Sequence, residues 1–160
     1  MTEFELPPEA IDDMRWALAY WRAQKDGHAL PEKRLFDVTD FPPRLLPMLF
    51  LLERIEADED YVVRLAGTAY REIYGREITG LPVNNLLPHS DAGGNLRVDL
   101  DRALTTGKPI FVDSLLTWPP TGTRVPYQRL LLPYSGEPDG PVRFFLGVAR
   151  ITDPKVALRT

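Results

Sequence analysis

The chain has no cysteine among its 160 residues and only two histidines. Without a thiol it cannot form disulfides, zinc–thiolate or iron–sulfur centres, a cysteine nucleophile or a thiol-linked chromophore. No apolar run approaches the roughly 18 residues that a membrane-spanning helix needs. The acidic start, MTEFELPPEAIDD, is unlike a signal peptide. We therefore expect a cytoplasmic protein with no membrane partner.

Basic runs are missing as well, since no more than two Lys or Arg residues are adjacent and the formal net charge is −4. This balance argues against binding to nucleic acid, which needs a positively charged surface. Hydrophobic residues make up 44% and charged residues 26% of the chain, as in ordinary globular proteins. The length suits one domain.

The order of patterned segments predicts an α+β domain. Apolar residues recur at helical spacing from Pro8 to Gln24, and a proline-broken stretch follows as far as Pro47. Alternating segments then predict a hairpin, two helices and three further strands, which together form a five-stranded antiparallel sheet. The predicted elements are strands 49–56 and 61–67, a helix 69–74 capped by Thr68 and ended by Gly75, a helix ended by Gly107, and the strands IFVDSLLTW, VPYQRLLLP and VRFFLGVARI.

Several of these segments resemble the PAS sensor family, in the family's order. RLAGTAYREIYGREITGLPVNNLLP resembles its second strand, first helix and helical elbow; DLDRALTTGKPI and FFLGVARIT resemble its long helix and last strand. The chain is most similar to stand-alone bacterial PAS proteins with an N-terminal helix. The resemblance implies a sheet with helices on one face and an N-terminal capping helix, divided into residues 1–47 (helix and linker), 48–153 (PAS-like core) and 154–160 (tail).

The resemblance also implies a function. We expect a non-enzymatic sensory or regulatory domain that binds a small molecule or a protein partner and signals through altered protein contacts. One alternative is an NTF2-like enzyme or ligand carrier, which needs a His/Asp or Tyr/Asp pair that we do not find. Another is an interaction module with a completely filled core.

The candidate ligand site lies on the inward face of the sheet. A hairpin centred on Gly122 places Thr117 near Tyr127 and Leu115 near Arg129. Small residues in the last strand, such as Gly147, leave space for a ligand. The resemblance to the PAS family implies that these strand positions and the facing helix positions point inward. The predicted ligand-binding residues are therefore Tyr70, Ile73, Leu100, Leu104, Leu115, Thr117, Tyr127, Arg129, Phe145 and Gly147.

Arg129 is the charged residue of this set. An inward arginine needs an acid to offset its desolvation. The predicted register offers Asp113, one diagonal step away, and a carboxylate on a ligand is the alternative. A slip of one residue in the register would instead turn Arg129 to solvent.

The N-terminal helix carries more aromatic residues than one sheet face usually covers. Trp16, Tyr20 and Trp21 lie on two edges of this helix. They either close the outer side of the sheet or contact another chain, and we expect both, in a homodimer.

Other chemistry has weaker support. None of the serines lies in a G-x-S-x-G turn, so we do not expect a serine hydrolase. His89 lies near the position of an axial histidine in haem-binding PAS proteins, but its loop context favours a polar surface residue. Asp58, Glu59 and Asp60 fit a solvated turn better than a cation site. The cofactor, if one is bound, stays unknown.

Overall fold

The computed structural model of the chain describes residues 3–86, 96–118 and 122–152, without the side chains of Thr117 and Trp118. Five antiparallel strands form one sheet in the order β2-β1-β5-β4-β3. This architecture confirms the predicted fold class. The helices are α1 (Asp12–Lys25), α2 (Ala69–Tyr74) and α3 (Leu96–Thr106), and the strands are β1 (Phe50–Ile55), β2 (Asp60–Ala66), β3 (Ile110–Trp118), β4 (Thr123–Ser135) and β5 (Val142–Ile151). Short 3₁₀ segments cover Lys33–Leu35, Val38–Asp40, Pro43–Met48, Glu56–Asp58 and Val83–Asn85.

The two faces of the sheet are covered by different helices. Helix α1 packs on the outer face, where the apolar residues of β4 and β5 meet Met14, Leu18 and Trp21. Helices α2 and α3 cover the inner face, together with the segment between them. The sheet is therefore buried on both sides, which explains the nearly continuous apolar sequence of β1 and β4. None of the described helices is long and apolar enough to cross a membrane.

Helix α1 begins four residues later than predicted. The sequence pattern starts it at Pro8, whereas the structure starts it at Asp12. The cause lies in the tertiary structure, because the side-chain amide of Gln128 accepts a hydrogen bond from Ile11 N (2.9 Å) and donates one to Glu9 O (2.8 Å). These bonds occupy backbone groups of the segment before the helix and hold it against β4.

The ends of α2 agree with the prediction, although its cap does not. Gly75 ends the helix in the left-handed conformation, with φ +71°. Thr68 precedes the helix but makes no side-chain capping hydrogen bond. The preceding Gly67 is required sterically, because a Cβ there would lie 2.2 Å from the carbonyl oxygens of Leu46 and Pro47. This close approach explains the glycine of the RLAGT segment.

The register of the β3–β4 hairpin differs from the prediction by three residues. Leu115 pairs with Pro126, Val112 pairs with Arg129, and the last pair is Trp118 with Thr123. The ladder is therefore centred before Gly122 rather than on it. Side chains along a strand alternate between the two faces of the sheet. A shift by an odd number of residues therefore places each β3 side chain on the face opposite to the predicted one.

The aromatic residues of α1 find partners within the same chain. Trp21 is buried and donates from Nε1 to the carbonyl oxygen of Pro133 (2.7 Å), so it belongs to the core and not to an exposed interface. Trp16 and Tyr20 stack at 5.3 Å, and both pack edge-on against Phe41 of the proline-broken segment. The outer side of the sheet is thus closed, as expected, and Trp16 and Tyr20 stay half-buried.

Candidate functional site

A cavity of about 60 Å³ lies between the inner face of the sheet and the residues of α2 and its flanks. Its walls come from all five strands, from Met48 before β1, from α2, from the segment after α2 and from the first residue of α3. The cavity is lined almost entirely by apolar and aromatic side chains. They are Met48, Phe50, Leu52, Val63, Tyr70, Ile73, Tyr74, Ile78, Val83, Leu86, Leu96, Leu116, Tyr127 and Ala149, with Arg129 as the exception.

Arg129 is the one charged residue among the described residues that line the cavity. Its side chain is only 7% exposed, and its terminal Nη2 donates to Asp99 of α3 in a buried ion pair. Its Nε is also buried and has no hydrogen-bond partner among the described residues. Arg129 thus faces inward, as predicted, but its Nε donor is not used by any of the described residues.

Tyr70 lies close to Arg129 in the wall of the cavity. Its hydroxyl donates to the carbonyl oxygen of Met48 (2.8 Å), and its ring packs edge-on against Phe50 at 5.8 Å. Burial raises the pKa of Tyr70 well above its ordinary value, the neighbouring Tyr74 raises it further, and the positive charge of Arg129 opposes the shift. Tyr70 therefore stays protonated at neutral pH and cannot act as a base.

Four of the predicted ligand-binding residues line the cavity: Tyr70, Ile73, Tyr127 and Arg129. Three others are inward but do not line it. Leu100 is fully buried and Leu104 packs beside it, and the ring of Phe145 packs edge-on against Tyr61 at 5.4 Å. These three side chains pack against residues that line the cavity.

Gly147 does not provide space for a ligand, contrary to the prediction. A Cβ built on it would lie 1.9–2.3 Å from the ring of Phe50, which fills that volume already. Phe50 lies opposite Gly147 on the neighbouring strand β1, and the glycine is needed to admit its ring. The open volume lies instead two residues further on, at Ala149.

Leu115 was predicted to line the site but lies on the outer face of the sheet. It is 40% exposed, and Leu116 takes its place in the cavity wall. Thr117 belongs to the same face of β3 as Leu115 by alternation, and its side chain lies outside the described residues. The three-residue error in the register accounts for both positions.

The same register error explains why the predicted ion pair of Arg129 with Asp113 does not form. Asp113 pairs with Gln128 in the ladder, and its carboxylate accepts from the Gln128 amide (3.3 Å) on the outer face. The partner of Arg129 is instead Asp99 of α3. The side of α3 that meets β4 could not be found without the correct packing of the helix.

Residues between α2 and α3 form part of the wall that sequence reasoning missed. Ile78, Val83 and Leu86 are buried and line the cavity. The apolar spacing of this segment offered a signal, since a turn that carries apolar residues so regularly has to bury them. Met48, at the end of the linker, gave no comparable signal.

Metal binding has no support within residues 3–86, 96–118 and 122–152, where no group of three or more His, Asp or Glu side chains is arranged to hold an ion. His89, the haem candidate, lies outside the described residues. His28 is exposed at the surface, where its Nδ1 lies 2.7 Å from Asp139.

Comparison with solved structures shows the same fold in sensory domains. A fungal LOV domain photoreceptor has a TM-score of 0.50 and 18% identity, with 88% of this chain and 92% of that chain covered. The light-state dimer of the fungal blue-light photoreceptor Vivid has a TM-score of 0.50 and 15% identity, with 90% and 97% covered. An RNA-binding light-oxygen-voltage receptor has a TM-score of 0.50 and 15% identity, with 98% of this chain and 39% of that chain covered.

The sequence comparison agrees with the structural one. No curated protein matches the sequence significantly. The model of the PAS domain family matches residues 12–149, which is well over half of the chain. The chain therefore belongs to the PAS domain family.

Proposed function

We propose that this PAS domain is a sensor that binds a small molecule in the cavity beside Arg129 and passes on its occupancy through altered protein contacts. The observation that carries this proposal is the cavity itself. It lies beside the buried core, has apolar and aromatic walls, and among the described residues has one charged group, Arg129, in its lining. A concave apolar site with a few polar groups is typical of small-molecule binding.

The polar groups of the cavity support binding better than catalysis. The hydroxyl of Tyr70 is used by Met48 O, and the raised pKa of Tyr70 keeps it protonated. Arg129 is a permanent cation paired with Asp99. Neither group is a nucleophile or a general base at neutral pH. The family match and the fold also leave the NTF2-like alternative without support.

A flavin does not fit the cavity in this conformation. The volume of about 60 Å³ is less than half of the roughly 150 Å³ of a protein cavity that accepts one benzene ring. The three fused rings of a flavin need far more space. The absence of cysteine also excludes a cysteinyl adduct on such a cofactor. The proposed ligand is therefore much smaller than a flavin.

The output of the sensor is proposed to be a protein contact, in a homodimer or with another protein. Trp16 and Tyr20 support this proposal, because their stacked rings stay half-buried on the outer surface of α1. The cytoplasmic location stays a prediction. Sedimentation of the wild type against Trp16→Ala tests the homodimer, which predicts a weaker dimer for the variant.

Native mass spectrometry tests the binding function. The purified protein is incubated with a small-molecule cell extract, alongside Ala149→Val, which narrows the cavity, and Leu115→Ala, which changes an exposed residue of the opposite face. We expect a non-covalent adduct on the wild type and on Leu115→Ala, and none on Ala149→Val. Melting temperatures show that all three proteins are folded. An equal adduct on Ala149→Val, or none on any of them, contradicts the proposal.

A further inference from the structure

An unused hydrogen-bond donor in the cavity wall indicates the chemistry of the ligand. Arg129 lies in the cavity wall with its Nε buried and without a hydrogen-bond partner among the described residues. A buried donor of a charged group is costly to leave unpaired. Since Arg129 Nη2 already binds Asp99, the guanidinium is held in place with Nε left over.

The acceptors elsewhere in the described core are already used or face the other way. Tyr70 donates its hydroxyl to Met48 O. Glu53 lies between Arg64 and Arg143, at 2.8 and 2.9 Å. Asp113 lies on the outer face with Gln128. These three groups are therefore not available to Arg129 Nε, and an acceptor on a molecule bound in the cavity would satisfy this donor.

The charge of that acceptor is limited by Asp99. The pair of Arg129 and Asp99 is neutral as a whole and is deeply buried, with side chains 7% and 13% exposed. A carboxylate on the ligand would place two anions beside one cation, and the extra buried charge would be uncompensated. A neutral carbonyl or ring nitrogen adds a hydrogen bond without adding charge.

The walls limit the rest of the ligand. Four of the lining residues are aromatic (Phe50, Tyr70, Tyr74 and Tyr127), and most of the others are aliphatic. A cavity of about 60 Å³ is well below the volume that accepts a benzene ring, which limits the ligand to a molecule of a few non-hydrogen atoms. The flexible thioether of Met48 offers the side chain that adapts to it most easily.

We propose that the ligand is a small, neutral, mainly apolar molecule with one hydrogen-bond acceptor, and that Arg129 Nε donates to this acceptor while Asp99 excludes anionic ligands. The inference rests on the proposed binding function. It assigns Arg129 to recognition of a neutral group and Asp99 to selection against acids.

Three probe molecules of matched size test it, titrated into the isotope-labelled protein and followed by amide NMR shifts around the cavity. Acetone is the ketone that carries the neutral acceptor, isobutene is the alkene of the same shape without it, and acetate is the carboxylate anion. The decisive quantity is the affinity ratio of the ketone to the alkene. It is measured in the wild type and in Arg129→Met/Asp99→Leu, which replaces the ion pair as a unit.

We expect the ratio to fall by about tenfold in the double variant, since a hydrogen bond to a charged donor is lost. We also expect no cavity shifts from the carboxylate at concentrations that saturate the ketone. Arg54→Met is the matched control, because Arg54 also has a buried unpaired nitrogen but lies over Tyr61 and outside the cavity wall. Its ratio should equal that of the wild type.

The outcomes separate this inference from the proposed function. If the alkene and ketone bind but the ratio is the same in both proteins, the role of Arg129 is wrong while the cavity remains a binding site. Tighter binding of the carboxylate overturns the selection by Asp99. If none of the three probes shifts the cavity amides, the binding function fails, and the inference fails with it.

Discussion

The two faces of the sheet differ most clearly at two neighbouring residues of β4. Gln128 points to the outer face and Arg129 to the inner face, and they are 3% and 6% exposed. The amide of Gln128 binds Ile11 N, Glu9 O and the carboxylate of Asp113. The guanidinium of Arg129 binds Asp99, and its Nε has no partner in the part of the chain that the structure describes.

The other residues of the two faces differ in the same way, with paired polar groups on the outer face and open volume on the inner face. On the outer side, Asp13 lies 2.8 Å from Arg44 and 3.3 Å from Arg150, and Trp21 binds Pro133 O. On the inner side, the packing leaves a cavity beside Arg129. A face that satisfies its buried polar groups contributes stability, whereas a face that leaves volume and a donor unused has the features on which the proposed ligand site rests.

The largest expected effect is on the outer face. Trp21→Ala removes a fully packed ring and its hydrogen bond to Pro133 O, and should lower the free energy of unfolding by about 3–5 kcal/mol. Trp16→Ala is the control, since this half-buried ring should cost only about 1 kcal/mol. Urea unfolding measures both. Equal losses would show that α1 does not anchor the outer face through Trp21.

Gln128→Leu tests the satisfied polar group of the same face. It leaves Ile11 N and Glu9 O without their partner, and should cost about 2–3 kcal/mol. Asp113→Ala removes only the third and weakest of the Gln128 contacts and should change stability by less than about 0.5 kcal/mol. Hydrogen exchange should also become faster at Ile11 in Gln128→Leu. An unchanged exchange rate at Ile11 would contradict the role of this amide as an anchor.

On the inner face, two neighbouring small residues should respond in opposite ways. Gly147→Ala collides with the Phe50 ring and should cost about 1–2 kcal/mol. Ala149→Val, two residues along, extends into the cavity and should leave stability unchanged or slightly higher. Thermal unfolding of both variants checks the comparison. A larger loss for Ala149→Val than for Gly147→Ala would mean that the open volume is not where the structure places it.

The smallest expected effect concerns pH. Burial alone would raise the pKa of the Glu53 carboxyl, but hydrogen bonds from Arg64 and Arg143 outweigh it and hold this pKa below its ordinary value. A lowered folded-state pKa contributes stability above the unfolded-state value of about 4.5, and this stability is lost as the pH falls through the folded-state pKa.

Glu53→Gln removes this contribution. Between about pH 6 and about pH 3, the melting temperature of the wild type should therefore fall more steeply than that of Glu53→Gln. Asp58→Asn, in an exposed turn, serves as the surface control for the same loss of charge. Parallel curves for wild type and Glu53→Gln would show that the Arg64–Glu53–Arg143 group does not stabilise the fold.

Local sequence patterns predicted most of the elements. The prediction for α2 and β5 matches the structure, and Gly107 follows the last residue of α3 as expected. Alternation along β4 correctly placed Tyr127 and Arg129 on one face, and the resemblance to the PAS family correctly turned that face inward. These features depend on neighbours within the same segment, where side-chain periodicity and helix-ending glycines act directly.

The errors fall where two distant segments meet. The β3–β4 register, the start of α1 and the volume at Gly147 each depend on a residue more than 20 positions away or on a loop that joins two strands. Hairpin register is set by turn geometry, which single residue types specify weakly. Asp99 was therefore missed as the partner of Arg129, and Leu115 was placed on the wrong face.

The sequence by itself determined the family, the α+β class and the lack of thiol chemistry, because these depend on composition and on local order along the chain. Only the tertiary structure decided that Asp99 neutralises Arg129, that Phe50 fills the space beside Gly147 and that a cavity remains beside Ala149. The reason is physical. A cavity and an unused donor are what remains after all side chains have been packed, so they belong to no single segment of the chain.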